Sequence, residues 1–348
     1  MKRIVYIILA ILALLSISAC TKTEPEATPT ITPTPEATPA ITPTPEPTPT
    51  QTPDLGPVSY TTGLPFEGDY KPVMVIIENS PQARPQLGLQ TADIVYEVPV
   101  EGSITRFVSI FSDNVPDEVF PVRSARVPFL YLQQEWDAVF MHYGGSGTSA
   151  AQKKEPFSYY GNALRENVKF DVDGWTGKWN DYYYRMTDKK APHNVVGKPK
   201  LAQEMYNYQP EPIKWLFDSE VQYAGADGTQ ISLAMCSGKE GFVSYTYNQE
   251  KDVYLRIMQE KEFKSKETGE QISVKNVIVQ YSSYVVSGGV KLWNIVGTGN
   301  ADYYIGGKLV HGAWERKSVE DDTVYYDDKG AQIVLKPGNT WIHIHPSN

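Results

Sequence analysis

The chain has 348 residues, a formal net charge of −9 and two cysteines, Cys20 and Cys236. Its Lys and Arg residues are scattered, which argues against nucleic acid as the main ligand, because a binder of the phosphate backbone carries a basic face. Two cysteines exclude a disulfide framework and a four-cysteine zinc site.

The chain opens on Met1, Lys2 and Arg3, followed by an apolar run from Ile4 to Leu15. This is the pattern of a secretory signal, and the run is short of the roughly 20 residues a spanning helix needs. It ends in Leu15-Ser-Ile-Ser-Ala-Cys20. Small residues before a cysteine resemble a lipobox, which implies cleavage after Ala19 and a diacylglycerol on the Cys20 thiol. Two acyl chains suffice for stable anchoring where one is marginal. The expected address is the extracytoplasmic face of a cell membrane. Residues 20–57 repeat Thr and Pro; Ala27 to Glu36 is nearly copied by Ala37 to Glu46. Such a stretch cannot build a core. As an extended spacer of about 35 residues, at ~3.1 Å each, it reaches on the order of 110 Å.

Beyond the tether the expected architecture is an α/β N-terminal domain with a mixed sheet over residues 58–212, followed by a mainly antiparallel β domain over 213–348. Strands are expected at 73–77, 94–98, 104–111 and 138–142, with helices from Ser124 to about Trp136 and over 198–206. Further on, 242–247 and 252–258 form a hairpin. A strand over 274–280 alternates less cleanly. The Gly306-Gly307 pair turns a second hairpin, and 324–326 with 332–335 a third. The last strand is 341–345.

Polar residues cluster between Glu78 and His142. Asp93, Glu97 and Glu101 alternate with apolar residues, and Arg106, Arg123, Arg126 and His142 follow. Charges set in buried strands are paired or line a cleft. Glu97, Glu101 and Arg106 fit either internal ion pairs that fix the sheet register or a ligand site. Arg123 and Arg126 stand at a helix start, where the dipole repels cations, so an anion there relieves both. The expected site is therefore one cleft lined by Glu97, Glu101, Arg106, Arg123, Arg126 and His142. His142 and His193 fit satisfied core histidines better than ligands or bases. His343 and His345 share one strand face without further metal ligands in view. Cys236 reads as a small hydrophobe. Ser146 does not match the nucleophile elbow, because Thr148 stands where glycine is required. No metal and no cofactor are expected.

These residues carry a resemblance. Ala83-Arg-Pro-Gln86, Ala92-Asp-Ile-Val-Tyr-Glu97, Val100-Glu-Gly-Ser-Ile-Thr-Arg106, Pro121 to Arg126, His142 to Ser146, Ala191-Pro-His-Asn194, Lys275-Asn-Val-Ile278, Trp314 and Pro337-Gly-Asn-Thr-Trp341 resemble the YerB-like family of Gram-positive lipoproteins, over nearly all of residues 60–348. Ser103 stands where that family's pattern has a second glycine. The resemblance implies a lipoprotein with an N- and a C-terminal domain of unknown function. The acidic and arginine residues also resemble, more weakly, envelope phosphotransferases of the LytR-CpsA-Psr type, whose arginines hold a polyprenyl pyrophosphate. Ser124 departs from that family's Pro-Arg-Asp motif. Two functional readings stay open: a module that binds an anionic envelope ligand, such as a cell-wall glycan or lipid-linked precursor, or a partner protein; and a hydrolase or phosphotransferase acting on envelope glycopolymers.

Overall fold

Val73–Glu78 (β1), Ile94–Pro99 (β2) and Thr105–Phe111 (β3) are buried on both faces along their whole length, as suits β-branched and aromatic runs at the centre of a sheet. They belong to a computed structural model in which residues 56–145, 168–287 and 289–347 are described. The signal peptide, Cys20, the tether as far as Leu55, and Ser146 lie outside the described residues. Those described fall in one compact unit, 54–348.

β1 and β2 each run antiparallel to β3. β1 is also parallel to β4 (Val139–His142), and β4 to β5 (Asp171–Asp173). Beyond these, β6 (Tyr183–Arg185) and β7 (Val195–Gly197) form a separate ribbon, while β8 (Leu216–Phe217) and β9 (Ala226–Asp227) are short. A second sheet gathers β10 (Gln230–Ala234), β11 (Phe242–Asn248), β12 (Val253–Met258), β13 (Lys261–Glu262) and β14 (Ser273–Val274). The chain then supplies β15 (Asn276–Ser282), a hairpin of β16 (Tyr284–Ser287) and β17 (Val290–Trp293), and the strands β18 (Gly297–Ile305), β19 (Lys308–Arg316), β20 (Val324–Asp327), β21 (Val334–Leu335) and β22 (Thr340–Pro346).

The mixed sheet expected of the N-terminal half is present but extends beyond that half. Eleven strands share it, in the order β20-β19-β18-β15-β22-β2-β3-β1-β4-β5 with β9 beside β19. The join is β22, parallel to β2 on one side and to β15 on the other. Gly306 and Gly307 both take positive φ, 57° and 76°, as a two-residue hairpin turn demands; the strands they join, β18 and β19, are longer than expected. The third expected hairpin is present beside its turn, where Tyr326 bridges antiparallel to Gln332 and the Ile333 N–H donates to the Tyr325 carbonyl at 2.8 Å; β20 also pairs with β19, and β21 runs parallel to β8.

Among the described residues two α-helices accompany the strands, α1 (Val127–Trp136) and α2 (Pro199–Gln203), the second shorter than expected. The first begins three residues after Ser124, because Arg126 is the extended capping residue. That start places Pro128 in the first turn, where its missing N–H costs nothing. Phe129, Leu130, Leu132 and Trp136 of α1 cover one face of the large sheet, against Ile76, Tyr96, Ile110 and Ile342. Val243, Tyr245 and Tyr254 of the second sheet cover the other, against Val95, Phe107, Val277 and Trp341. No helix among the described residues is long and apolar enough to cross a membrane.

Candidate functional site

Strand alternation sorts the charged residues between the two faces. Glu78 pairs across the ladder with Arg106, and Arg106 with Val98. Val98 packs in the α1-side core, so Glu78 and Arg106 share that face. Glu97 is one residue out of phase and points to the other face, with Val95 and Phe107.

On the α1 face, Glu101 holds two guanidiniums. Arg106 Nη2 lies 2.9 Å from Glu101 Oε1, and Arg126 donates from Nε to Glu101 Oε2 at 2.8 Å and from Nη2 to Oε1. Arg106 also donates to the Ser124 carbonyl, and Arg126 to that of Ala125 at 2.7 Å. Burial opposes ionisation of Glu101, but Arg106 and Arg126 outweigh it and hold the carboxyl near about 2. Burial, then the neighbouring Arg126 charge, pull the Arg106 guanidinium down to about 9. The anion expected at the start of α1 is thus supplied by the chain itself.

Beside this pair stands a second. Arg123 Nε lies 3.2 Å from Glu78 Oε2, an ion pair off the line of a hydrogen bond. His193 Nδ1 contacts Glu78 Oε1 at 2.8 Å, and Ser80 Oγ donates to the same oxygen at 2.7 Å. The carboxylate is buried, while the Arg123 and His193 side chains stay 22% and 27% exposed. Neither Glu78 nor His193 was expected at the site; the carboxylate closing β1 and the Pro-His-Asn turn were the available signals.

His142 is buried at the end of β4. Its Nε2 lies 2.7 Å from Asp171 Oδ1 and its Nδ1 2.8 Å from the Gly144 carbonyl oxygen. Both partners only accept, so both ring nitrogens carry hydrogen. Burial favours the neutral ring, yet Asp171 and then Asp173 raise its pKa above the usual histidine value. His142 shares the α1 face with Arg106 but answers to different carboxylates.

Glu97 does not join these groups. It lies in a sealed network on the far face, where Oε2 accepts from Arg256 Nη2 at 2.7 Å and sits 3.3 Å from His343 Nδ1. Its Oε1 accepts from Thr105 Oγ1 at 2.7 Å and Asn79 Nδ2 at 3.1 Å. Arg256 Nη1 donates to the Tyr245 hydroxyl at 2.5 Å, and that hydroxyl meets His343 Nε2 at 2.9 Å. The ring faces of Trp341 and Phe263 flank the guanidinium, at 4.5 and 4.9 Å from their centroids, which favours a buried cation. Burial raises the Glu97 pKa, but Arg256 and then His343 reverse this and hold it near about 2. Burial lowers that of His343. His345, on the same strand face, stacks on Tyr281 instead. No group of three or more candidate metal ligands stands together among the described residues. The Cys236 thiol is pushed up to about 11 by burial, the opposite of what a nucleophile needs.

The protein is thus a mixed-sheet protein with a partly exposed ion-pair cluster on one face of the large sheet and a sealed one on the other. The chain belongs to the family described as protein of unknown function (DUF3048), whose N-terminal domain matches residues 61–210 and whose C-terminal domain matches residues 231–342. It is 30% identical over 284 residues to a Bacillus subtilis (strain 168) protein named as a lipoprotein, YerB, covering 79% of this chain and 81% of that one. The crystal structure of YerB from Bacillus subtilis matches with a TM-score of 0.68 at 28% identity, over 84% of this chain and 97% of the other.

Proposed function

We propose that the protein is a lipoprotein anchored on the extracytoplasmic face by a lipid on Cys20, whose folded part binds a phosphate-bearing envelope ligand beside Arg123. The Cys20 lipobox, the Thr/Pro stretch and the name of the Bacillus relative support the anchor. One observation carries the ligand: the Glu78 carboxylate is shared by Arg123 and His193, and both remain open to solvent. With Arg106 and Arg126 on Glu101, three guanidiniums face two carboxylates. This leaves local positive charge in a chain of net charge −9. Arg123 suits a phosphate group through its forked donors. Glu97 has no part in this site.

A second reading, an envelope hydrolase or phosphotransferase, is favoured by the same dyad. A carboxylate on His193 Nδ1 orients the ring, and Nε2 has no partner among the described residues. A carboxylate-oriented imidazole facing solvent is the arrangement of a general base.

The test is Arg123→Ala, with inorganic pyrophosphate as probe. The expected result is binding weakened by about tenfold or more, the worth of one charged hydrogen-bonded contact, with thermal unfolding little changed. A loss of about 3–5 kcal/mol of stability, the signature of a broken buried pair, or unchanged binding, overturns the ligand site. Turnover of a pyrophosphate ester lost in His193→Ala with binding kept selects the enzymatic reading.

A further inference from the structure

A second site lies at the far end of the large sheet, on strands the anion site does not use. By register, Asp302 lies opposite His311, and Asn300 opposite Ala313, which lies opposite Tyr326. These residues share one face, which opens on a trough of about 770 Å³ that Tyr281 also lines. That volume is within the range of ligand pockets. Of the strand residues on this face Ala313 is the small one, and Ala301 and Gly312 line the trough from strand positions whose side chains belong to the opposite face.

The polar groups in the trough are held in place. Asp302 Oδ1 accepts from His311 Nδ1 at 2.6 Å, and Oδ2 accepts from the Tyr281 hydroxyl at 2.9 Å. One carboxylate thereby fixes an imidazole and a phenol ring. The His311 side chain is 68% exposed, and its Nε2 has no partner among the described residues. The amide of exposed Asn300 has none among the described residues either. The trough thus offers fixed planar groups with free donors and acceptors beside two tyrosine rings.

We infer that this trough binds an uncharged pyranose chain. Sugar hydroxyls both donate and accept, which matches an imidazole, an amide and a carboxylate set side by side. The C–H faces of a pyranose ring suit tyrosine rings, which offer apolar faces with polar tips. An anionic chain is disfavoured because Asp302, Asp327 and Asp328 line the trough and no Lys or Arg does. The inference does not rest on the pyrophosphate site, and the two separate by charge.

The experiment titrates the full-length chain in detergent micelles with cellotetraose and with the β-1,4 tetramer of N-acetylglucosamine, read by calorimetry. Saturable binding of at least one sugar is expected. It should weaken roughly tenfold in His311→Ala and in Asn300→Ala, the scale of one lost hydrogen bond in a site, and stay unchanged in Arg123→Ala. Both trough residues are exposed, so their variants should unfold at the wild-type temperature. Three results overturn the inference: neither sugar binds saturably; binding is equal in the His311→Ala, Asn300→Ala double variant; or tetralysine binds in place of the sugars and loses binding in that variant, which makes the trough a site for cationic peptides.

Discussion

Glu97 and Arg256 are each sealed from water, yet their sequence positions are far apart and lie in different family-matched segments. Taking two charges out of water is costly, and their attraction offsets it only when hydrogen bonds satisfy what remains. Thr105, Asn79 and Tyr245 supply such bonds, and His343 Nδ1 stands 3.3 Å from the carboxylate. Glu97→Gln should therefore cost about 3–5 kcal/mol near neutral pH, because Arg256 is left buried without its counter-charge; urea unfolding measures it. The same residue sets an acid limb. Its folded pKa of about 2 lies below its unfolded value. The stabilisation is complete above roughly pH 4.5 and is lost as pH falls toward about 2. His343, neutral when buried, adds to the loss once the unfolded chain protonates below about pH 6.5. Glu97→Gln should flatten the limb below about pH 4.5; an unchanged limb would show that Glu97 is ordinary in its titration. In sequence, Glu97 and Glu101 look alike, four residues apart on either side of a strand end. Strand phase would put residues four apart on one face; Glu101 differs because β2 ends at Pro99 and the turn that follows carries its side chain to Arg106 and Arg126.

At the scale of elements, β22 has the largest consequence. It reads as one more short strand, yet it lies between β15 and β2 and pairs in parallel with both. Its buried residues enter both cores, Ile342 and Ile344 on the α1 face and Trp341 on the other. Ending the chain at Asn339 should leave two unpaired strand edges in the middle of the sheet. Such edges recruit other chains, so the expected outcome is aggregation on expression, checked by size-exclusion chromatography; a soluble monomer would refute the role of β22. The centres of the strands and the Gly306-Gly307 turn were legible because apolar runs, alternation and a glycine pair at a turn are local properties. The start of α1 was not: Arg126 is the capping residue, and the Ser124 hydroxyl donates instead to the Tyr143 carbonyl.

For the whole molecule, a sheet running through both family-matched segments predicts cooperation between them. Unfolding followed by tryptophan fluorescence and by far-ultraviolet circular dichroism should give coincident transitions, the mark of all-or-none behaviour; two separated transitions would show that the segments melt independently. Sequence alone determined the family and the mixed character of the sheet, and it singled out Glu97, Glu101, Arg106, Arg123, Arg126 and His142 while passing over Glu78 and His193. All of these rest on local composition, spacing or motif. Which charges meet was decided only by the tertiary structure. Glu78 replaces Glu97 as the partner of the exposed arginine, Arg256 and His343 arrive from the other half of the chain, and Asp302, His311 and Tyr281 assemble from three strands. The physical reason is that strand order and register place residues distant in sequence within hydrogen-bond reach, and neither is written in the local pattern of any one strand.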